Sequence, residues 1–502
     1  MTLEPSFDTF RTEFEAGHNQ VVWTRLAADL DTPVSVMLKL AGAGRNSFIL
    51  ESVTGGELRG RYSIIGMNPD LIWECQGTGS RVNRSARFDD DAWETCADEP
   101  LTALRGLLHE SRIDLPEGLP AASAGLFGYL GYDMARLVEP LGPAKPDPIG
   151  TPDAVLLRPT IVAVLDGVKG DVILVAPAWA GSGLSAKAAW AQAAERVTDA
   201  RAALERGLPR AARDLGPAQA PGEAVSNFTR EGFKAAVERA RQSVISGETL
   251  QIVPAQRWAL DFHEPPFALY RSLRRTNPSP FMFHFNFGSF HVVGASPEIC
   301  VRLTGGEMTI RPIAGTRRRG ATPAEDRALE AELLADPKDH EEHEMLIDLG
   351  LEDISKAAAP GTARATETFV VERYSHVMHI VSNVTGTLAP GKDALDALMA
   401  GMPAGTVSGA PKLRALEIID ELEPEKRGIY GGACGYFGAG GDMDMCIALR
   451  TGVVKDGKLY IQAGAGIVEG SVPESEYMET VHKSAALRRA AEDAARFRDG
   501  GR

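Results

Sequence analysis

The chain has 502 residues, 44% hydrophobic and 24% charged, with a formal net charge of −15. That length exceeds the usual size of one hydrophobic core, so two domains or one large composite body are expected. The acidic residues are spread along the chain and no concentrated basic patch is present, which argues against nucleic acid as a partner; an anionic substrate would need a locally positive pocket. Cys75, Cys96, Cys300, Cys434 and Cys446 are odd in number and lack C-x-x-C spacing, so neither a disulfide framework nor a zinc site is expected. Met1-Thr2-Leu3-Glu4-Pro5 has no basic stretch leading into an apolar one, and the longest apolar runs fall short of the roughly 18 residues of a membrane span. A cytoplasmic protein in a reducing compartment is the expectation, with no membrane partner.

In chain order, Ser47-Phe48-Ile49-Leu50-Glu51-Ser52-Val53, closed by Gly55-Gly56, and Arg61-Tyr62-Ser63-Ile64-Ile65-Gly66 read as strands. The runs 160–165 and 171–176 flank Asp166-Gly167 and Lys169-Gly170 and predict a hairpin. An amphipathic helix is predicted over 186–206. Residues 207–226, rich in Pro, Gly, Ala and Arg, read as a linker between an N-terminal part, 1–206, and a C-terminal part, 227–502. A helix over 229–246 has Thr229 as its cap and Gly247 as its stop.

Phe281, Phe283, Phe285 and Phe287 alternate as one face of a strand, and Gly288-Ser289 turns that strand into His291-Val292-Val293-Gly294. Hairpins are predicted for 299–303 with 308–313 about Gly305-Gly306, and for 447–454 with 459–462 about Lys455-Asp456-Gly457-Lys458. Helices are expected at 323–334, 340–358, 394–402, 411–422 and 475–496. Antiparallel hairpins interleaved with separate helices predict an α+β fold.

Two acidic stretches far apart in sequence attract notice. Asp339 and Glu342 share one helical face, as do Glu476 and Glu479. Each pair alone reads first as a solvated helix face; brought together they would need a cation, and Mg²⁺ is commonly held by one or two carboxylates plus substrate oxygens. The glycine-rich Gln462-Ala463-Gly464-Ala465-Gly466 precedes the second stretch and would let backbone amides approach a ligand, or serve only as a turn. In 403–412, Ser408 reads as an N-cap and Pro411 as a first-turn residue, an anion-favouring helix start or an ordinary one. Arg450 is a charge inside an apolar strand and suits a carboxylate partner. Lys483 lies one turn after Glu479. No Walker A or G-x-G-x-x-G phosphate loop is present.

These motifs, in this order, resemble the large, chorismate-binding subunit of anthranilate synthase. The matching stretches are Ile49-Leu50-Glu51-Ser52, Asn277-Pro278-Ser279-Pro280-Phe281-Met282-Phe283, Ser296-Pro297-Glu298, Pro312-Ile313-Ala314-Gly315-Thr316-Arg317, 403–412, Tyr430-Gly431-Gly432-Ala433-Cys434-Gly435-Tyr436 and 462–479. The resemblance implies a two-domain α+β fold with a β-sandwich-like core. It implies amination of chorismate at C2 with loss of the C4 hydroxyl, then elimination of pyruvate to leave anthranilate.

On the same basis, Glu342 and Glu479 correspond to Mg²⁺ ligands, with Asp339 and Glu476 supporting them. Thr406, Tyr430, Arg450, Gly464, Gly466 and Lys483 correspond to substrate-holding positions, as do Gly315 and Thr316. Glu298 corresponds to the acid that protonates the departing hydroxyl, and His379 to the histidine of the elimination step; read without the resemblance, His379 is a packed core histidine.

Gln251 stands where water-using isochorismate and salicylate synthases carry a lysine base. Ala314 stands where aminodeoxychorismate synthases carry a nucleophilic lysine. Both substitutions fit direct attack by ammonia. Glu51, Ser52, Pro280, Phe281 and Met282, with Cys434 and Tyr436 nearby, resemble a tryptophan-binding inhibitory pocket, although strand packing explains the same residues. No glutaminase-like cysteine elbow is present, so a separate glutamine amidotransferase subunit is the implied ammonia source. The pattern departs at Asp348-Leu349-Gly350-Leu351-Glu352-Asp353, where the family usually has Arg and Asn, and at Asp339, usually Glu. Aminodeoxychorismate or aminodeoxyisochorismate synthesis, or a catalytically impaired tryptophan-binding homologue, are the alternative readings.

Overall fold

The computed structural model describes residues 2–42, 44–52, 60–208, 217–374 and 377–498. The turn expected at Gly55-Gly56 and residues 209–216 of the expected linker lie outside them.

Two long strands, Tyr62–Gln76 and Ala154–Asp166, pair antiparallel over most of their length. Two arms of antiparallel sheet diverge from this pair. One passes through Ser47–Glu51, Phe281–Asn286, Phe290–Ser296, Thr451–Lys455, Lys458–Gly464 and Ala255–Asp261. The other passes through Gly125–Leu130, Ala433–Gly438, Met443–Ile447, Ile299–Thr304, Glu307–Ile310 and Val377–Thr387. Phe48 of the first arm stacks on Phe127 of the second with ring centroids 4.5 Å apart, so the arms face each other across an aromatic cluster.

Because side chains alternate along each strand, the remaining apolar residues point outward and must be covered. Helices Pro266–Thr276 and Pro473–Asp493 cover the first arm, and Ala186–Glu205 joins the same cluster from over Gln20–Ala27 and Asp171–Ala178. Helices Pro100–Glu110, Pro337–Ser355 and Ala394–Gly401 cover the second. The result is a helix–sheet–sheet–helix sandwich, of the α+β class that the hairpins implied and with the sandwich core that the resemblance implied. Each arm draws strands from both sides of 207–226, so strand pairing is continuous across that boundary. No helix among the described residues is long and apolar enough to cross a membrane.

Local chemistry accounts for most of the elements. The hairpin at 166–171 joins Ala154–Asp166 to Asp171–Ala178. Thr229 accepts a hydrogen bond from the Gly232 amide and caps the helix Arg230–Ile245, and Gly247 follows at φ +80°. Phe283, Phe285 and Phe287 enter the inter-arm cluster with Phe281 packed at its edge, although the strand ends at Asn286.

Three expectations are corrected. Residues 447–454 are not one strand: pairing stops at Ile447 and resumes at Thr451, and Arg450 sits in the break at φ +48°. The strand expected over 308–313 ends at Ile310, since Pro312 lacks the N–H a ladder requires, and Ile313–Arg318 then pairs elsewhere along Val377–Thr387. Ser408 does not cap the next helix, Lys412–Leu422, which Pro411 precedes; its hydroxyl donates to the Ala404 carbonyl at 2.9 Å and closes the turn Gly405–Val407.

Gly294 lies opposite Phe283, whose ring covers the position a Cβ would take: an added methyl would stand 2.1 Å from Phe283 Cζ. Gly294→Ala is therefore expected to lower stability by about 1–3 kcal/mol through overpacking. Gly106→Ala, in an open position of the helix Pro100–Glu110, is expected to raise it by up to about 1 kcal/mol. Denaturant melts of the two variants check both signs.

Candidate active site

The two acidic stretches lie on helices from opposite outer layers. In Pro337–Ser355 the N-cap Asp336 accepts from the Lys338 and Asp339 amides, and Glu342 follows in the second turn. In Pro473–Asp493, Glu476 lies in the first turn and Glu479 just beyond it. The stretches meet in space. Burial raises the pKa of Glu342, and the charges of Asp339 and Glu479 push it the same way, against Lys338 and Lys483. Burial likewise raises Glu476; the Ser471 hydroxyl, Lys338 and Lys483 oppose the rise, and Glu479 adds to it.

Carboxylates held close at such a cost form a hard-oxygen donor set suited to Mg²⁺. Among the described residues no group of three acidic, His or Cys side chains is assembled around one point. Mg²⁺ is commonly held by one or two protein carboxylates, with substrate and water completing its shell. Asp339 is drawn aside: its Oδ2 accepts from Arg317 at 2.9 Å, and Arg317 also binds Asp336 and Glu332, each at 2.8 Å.

Beside the acids is a set of groups suited to an anion. Arg450 is largely buried in the strand break, and burial lowers its pKa against the pull of Glu298. No carboxylate among the described residues forms an ion pair with it. Lys483 Nζ bridges Glu479 at 2.6 Å and the Gly464 carbonyl at 3.0 Å. Tyr430 Oη lies against the backbone of Gly464, where an added Cβ would stand 3.0 Å away. Gln251 lies against Gly466, where an added Cβ would stand 2.7 Å from its Nε2. Gln251 Oε1 is buried without a hydrogen-bond partner, and the Thr406 hydroxyl faces the Glu298 carboxyl. A buried polar atom without a protein partner is completed by water, an ion or a ligand.

Two titratable groups complete the site. Glu298 is buried in the turn between Phe290–Ser296 and Ile299–Thr304, and burial pushes its pKa up to about 8, although Thr406, Lys483 and Arg450 all favour the ionised form. At neutral pH it is a protonated acid. His379, on Val377–Thr387, has its Nδ1 2.9 Å from the Gly315 carbonyl and 3.0 Å from Thr316 Oγ1. Donation to the carbonyl assigns the proton to Nδ1 and leaves Nε2 as the basic nitrogen. Burial lowers the His379 pKa, with Arg450 adding to the effect, so the ring is neutral. A buried acid and a neutral imidazole flanking an unpaired guanidinium suit proton-assisted departure of a leaving group from an anionic substrate.

Residues 68–489 match the model of the chorismate-binding enzymes. The chain belongs to the chorismate-binding enzyme family. It is 66% identical over 492 residues to anthranilate synthase component 1 of Cereibacter sphaeroides, covering 98% of each chain. It is 47% identical to the Pseudomonas putida protein of the same name, over 94% of this chain and 96% of that one. The crystal structure of anthranilate synthase component I from Streptococcus pneumoniae superimposes with a TM-score of 0.75 at 34% identity, over 92% of this chain and 98% of that one. The menaquinone-specific isochorismate synthase of Escherichia coli shares the fold at a TM-score of 0.68 and 21% identity, over 96% of this chain and 99% of that one.

For a chorismate-binding enzyme, the departures at 351–352 are local. Leu351 packs against the core of its own layer, and Glu352 pairs with Lys356 at 3.5 Å. The neighbouring Asp353 is buried and receives Lys412 at 2.7 Å and Lys356 at 3.0 Å, which ties the Glu342 helix to the segment 403–412. Lys338 and this Lys412–Asp353 pair were not singled out in the sequence. The i,i+4 spacing of Lys338 to Glu342 was a readable signal; the other contact is non-local and carried none.

The residues resembling a tryptophan pocket lie on both faces of one strand pair. Glu51 and Met282 are cross-strand partners on the side of the helix Pro266–Thr276, and the Glu51 carboxylate accepts from Arg274 Nε at 2.9 Å, Arg274 Nη2 at 3.1 Å and the Tyr270 hydroxyl. Phe281, Cys434 and Tyr436 belong to the inter-arm cluster on the other side. Pro280 and Ser52 are half-buried at the two strands' edges.

The Glu298 pKa, about 8 in the fold against about 4.3 in an unfolded chain, fixes a stability trend. Its contribution is fully present below the unfolded value and is lost as pH rises through about 8. Glu298→Gln carries no such penalty, so without ligands it should gain stability relative to wild type between pH 6 and pH 9, by on the order of 2 kcal/mol. Paired thermal melts at the two pH values measure it; a constant difference would contradict the raised pKa.

Proposed function

We propose that this chain is the chorismate-aminating subunit of an anthranilate synthase, converting chorismate and ammonia to anthranilate, pyruvate and water. The observation that carries this reading is identity to anthranilate synthase component 1 running end to end, at 66% over 98% of both chains. The site chemistry supports it. Arg450, Lys483, Thr406 and the Tyr430–Gly464 backbone bind and orient the carboxylate and enolpyruvyl groups. Ammonia attacks C2 of the ring while Glu298 delivers its proton to the departing C4 hydroxyl, which leaves as water. His379 Nε2 then removes the ring proton at C2 as the enolpyruvyl group departs from C3, giving pyruvate and the aromatic amine. Gln251 has no proton-accepting group, so it hydrogen-bonds within the pocket without activating water, in keeping with ammonia as the nucleophile.

Glu342 and Glu479 would hold Mg²⁺, with Glu476 behind them and Asp339 contributing through its tie to Arg317. When bound, Mg²⁺ supplies charge neutralisation for a substrate carboxylate. In this reading ammonia comes from a separate glutamine amidotransferase subunit, the protein works in the cytoplasm, and tryptophan bound near Ser52, Pro280 and Met282 inhibits it.

Incubation with chorismate, Mg²⁺ and ammonium should give fluorescent anthranilate and pyruvate in equal amounts. A product retaining the enolpyruvyl group would overturn the assignment. Glu479→Ala should lower kcat by more than about 10²-fold with an unchanged circular dichroism spectrum, and wild-type turnover would remove Glu479 from the metal site. His379→Ala should accumulate an aminated intermediate that mass spectrometry detects before pyruvate appears; clean anthranilate release at the wild-type rate would argue against the imidazole as base.

A further inference from the structure

One buried cation outside the substrate-facing set touches three of the segments that carry it. Arg427 is 2% exposed at its side chain. Its Nη1 donates to the Val407 carbonyl at 2.6 Å, and its Nη2 donates to the Val253 carbonyl at 2.6 Å. Nε and Nη2 together grip Glu423, at 3.0 and 2.5 Å. Its guanidinium lies over the Tyr132 ring at 4.5 Å and the Tyr430 ring at 5.7 Å. Glu423, itself buried, accepts the Ala255 amide at 2.8 Å. Three of these contacts fall at or within two residues of a pocket group: Val407 follows Thr406, Val253 lies two residues after Gln251, and Tyr430 is reached directly.

Two of those segments also meet directly, the Val253 amide donating to the Ser408 carbonyl at 2.9 Å and the Leu250 amide to the Ala410 carbonyl at 2.6 Å. Thr406 sits in the short turn Gly405–Val407, and Gln251 in the two-residue strand Gln251–Ile252, which pairs with Gly409–Ala410 and is bridged through Ile252 to Ile467. Turns and strands this short have little stability of their own. Only a planar fork of donors can hold two carbonyls and a carboxylate at once in a dry interior; an ammonium presents a single charged centre and cannot span them. Removing the fork would also leave two buried carbonyls unpaired.

We propose that Arg427, clamped by Glu423, is a positioning residue that sets Thr406, Gln251 and Tyr430 in register as one substrate-recognition surface. It touches no reacting atom in this account, which rests on the chorismate reading for the identity of the ligand. Its disruption should therefore weaken substrate binding far more than it slows the proton transfers.

The test compares wild type with Arg427→Lys, which keeps the charge, and with Glu423→Gln, which keeps an acceptor for the Ala255 amide while loosening the clamp. Hydrogen exchange followed by mass spectrometry should show faster exchange in Arg427→Lys confined to the peptides around 250–255 and 403–409. The hairpin at 160–176 should be unchanged. With chorismate and ammonium, KM for chorismate should rise at least 10-fold with kcat within 3-fold, and Glu423→Gln should move the same way by less. Exchange unchanged at 250–255 and 403–409, or accelerated everywhere alike, overturns the proposal, as does a fall in kcat at unchanged KM. The exchange result stands whether or not wild type consumes chorismate. An inactive wild type with the predicted exchange pattern would overturn the chorismate reading and leave the positioning role intact.

Discussion

The site depends on electrostatic frustration between helices of the two outer layers. Helices from the two outer layers bring Glu342, Glu476 and Glu479 close enough that burial and mutual repulsion raise the pKa of Glu342 and of Glu476. Lys338 and Lys483 relieve the repulsion in part. Like charges in a half-buried space repel, so the arrangement carries an electrostatic cost that a bound cation would offset. The helices can carry that cost because each is anchored in a large apolar cluster of its own layer.

The opposite charge is handled by a different device. Arg450 occupies a left-handed conformation in a strand break, its own carbonyl accepting the Ala295 amide at 3.2 Å while its side chain enters the pocket. A non-glycine residue at positive φ is tolerated where the surroundings over-determine it, and such positions cluster at ligand sites. The break lets one charged side chain leave an apolar strand path and reach the pocket. Glu298 and His379 lie on either side of it. Their environments shift them in opposite senses, so that the carboxyl is protonated and the imidazole unprotonated at the same pH, the separation that acid and base roles require.

Much of this was legible in the chain. The i,i+3 spacing of Asp339 with Glu342 and of Glu476 with Glu479, the alternating phenylalanines, the Thr229 cap and the Gly turns are local signals, and the structure follows them. What escaped was non-local or conformational. Arg450 was visible as a charge among apolar residues, but its positive φ was not, because apolar periodicity alone continues a strand through the break. Ser408 had the composition of an N-cap, yet its hydroxyl found the Ala404 carbonyl first. The alternating pattern at 281–287 did not reveal that Ser47–Glu51 would be its partner, since strand pairing across more than two hundred residues leaves no mark in either segment alone. The grip of Arg317 on Asp339 and of Arg427 on three segments belongs to the same class of contact.

If the acidic cluster is a cation site that the fold strains to hold, divalent metal should bind to the isolated chain without substrate. Water-proton relaxation with Mn²⁺ as probe measures this directly. The account predicts one Mn²⁺ per chain, displaced by Mg²⁺, with affinity at least about 10-fold weaker in Glu342→Gln and in Glu479→Gln. No Mn²⁺ binding to the wild-type chain, or equal binding by the two variants, would contradict it.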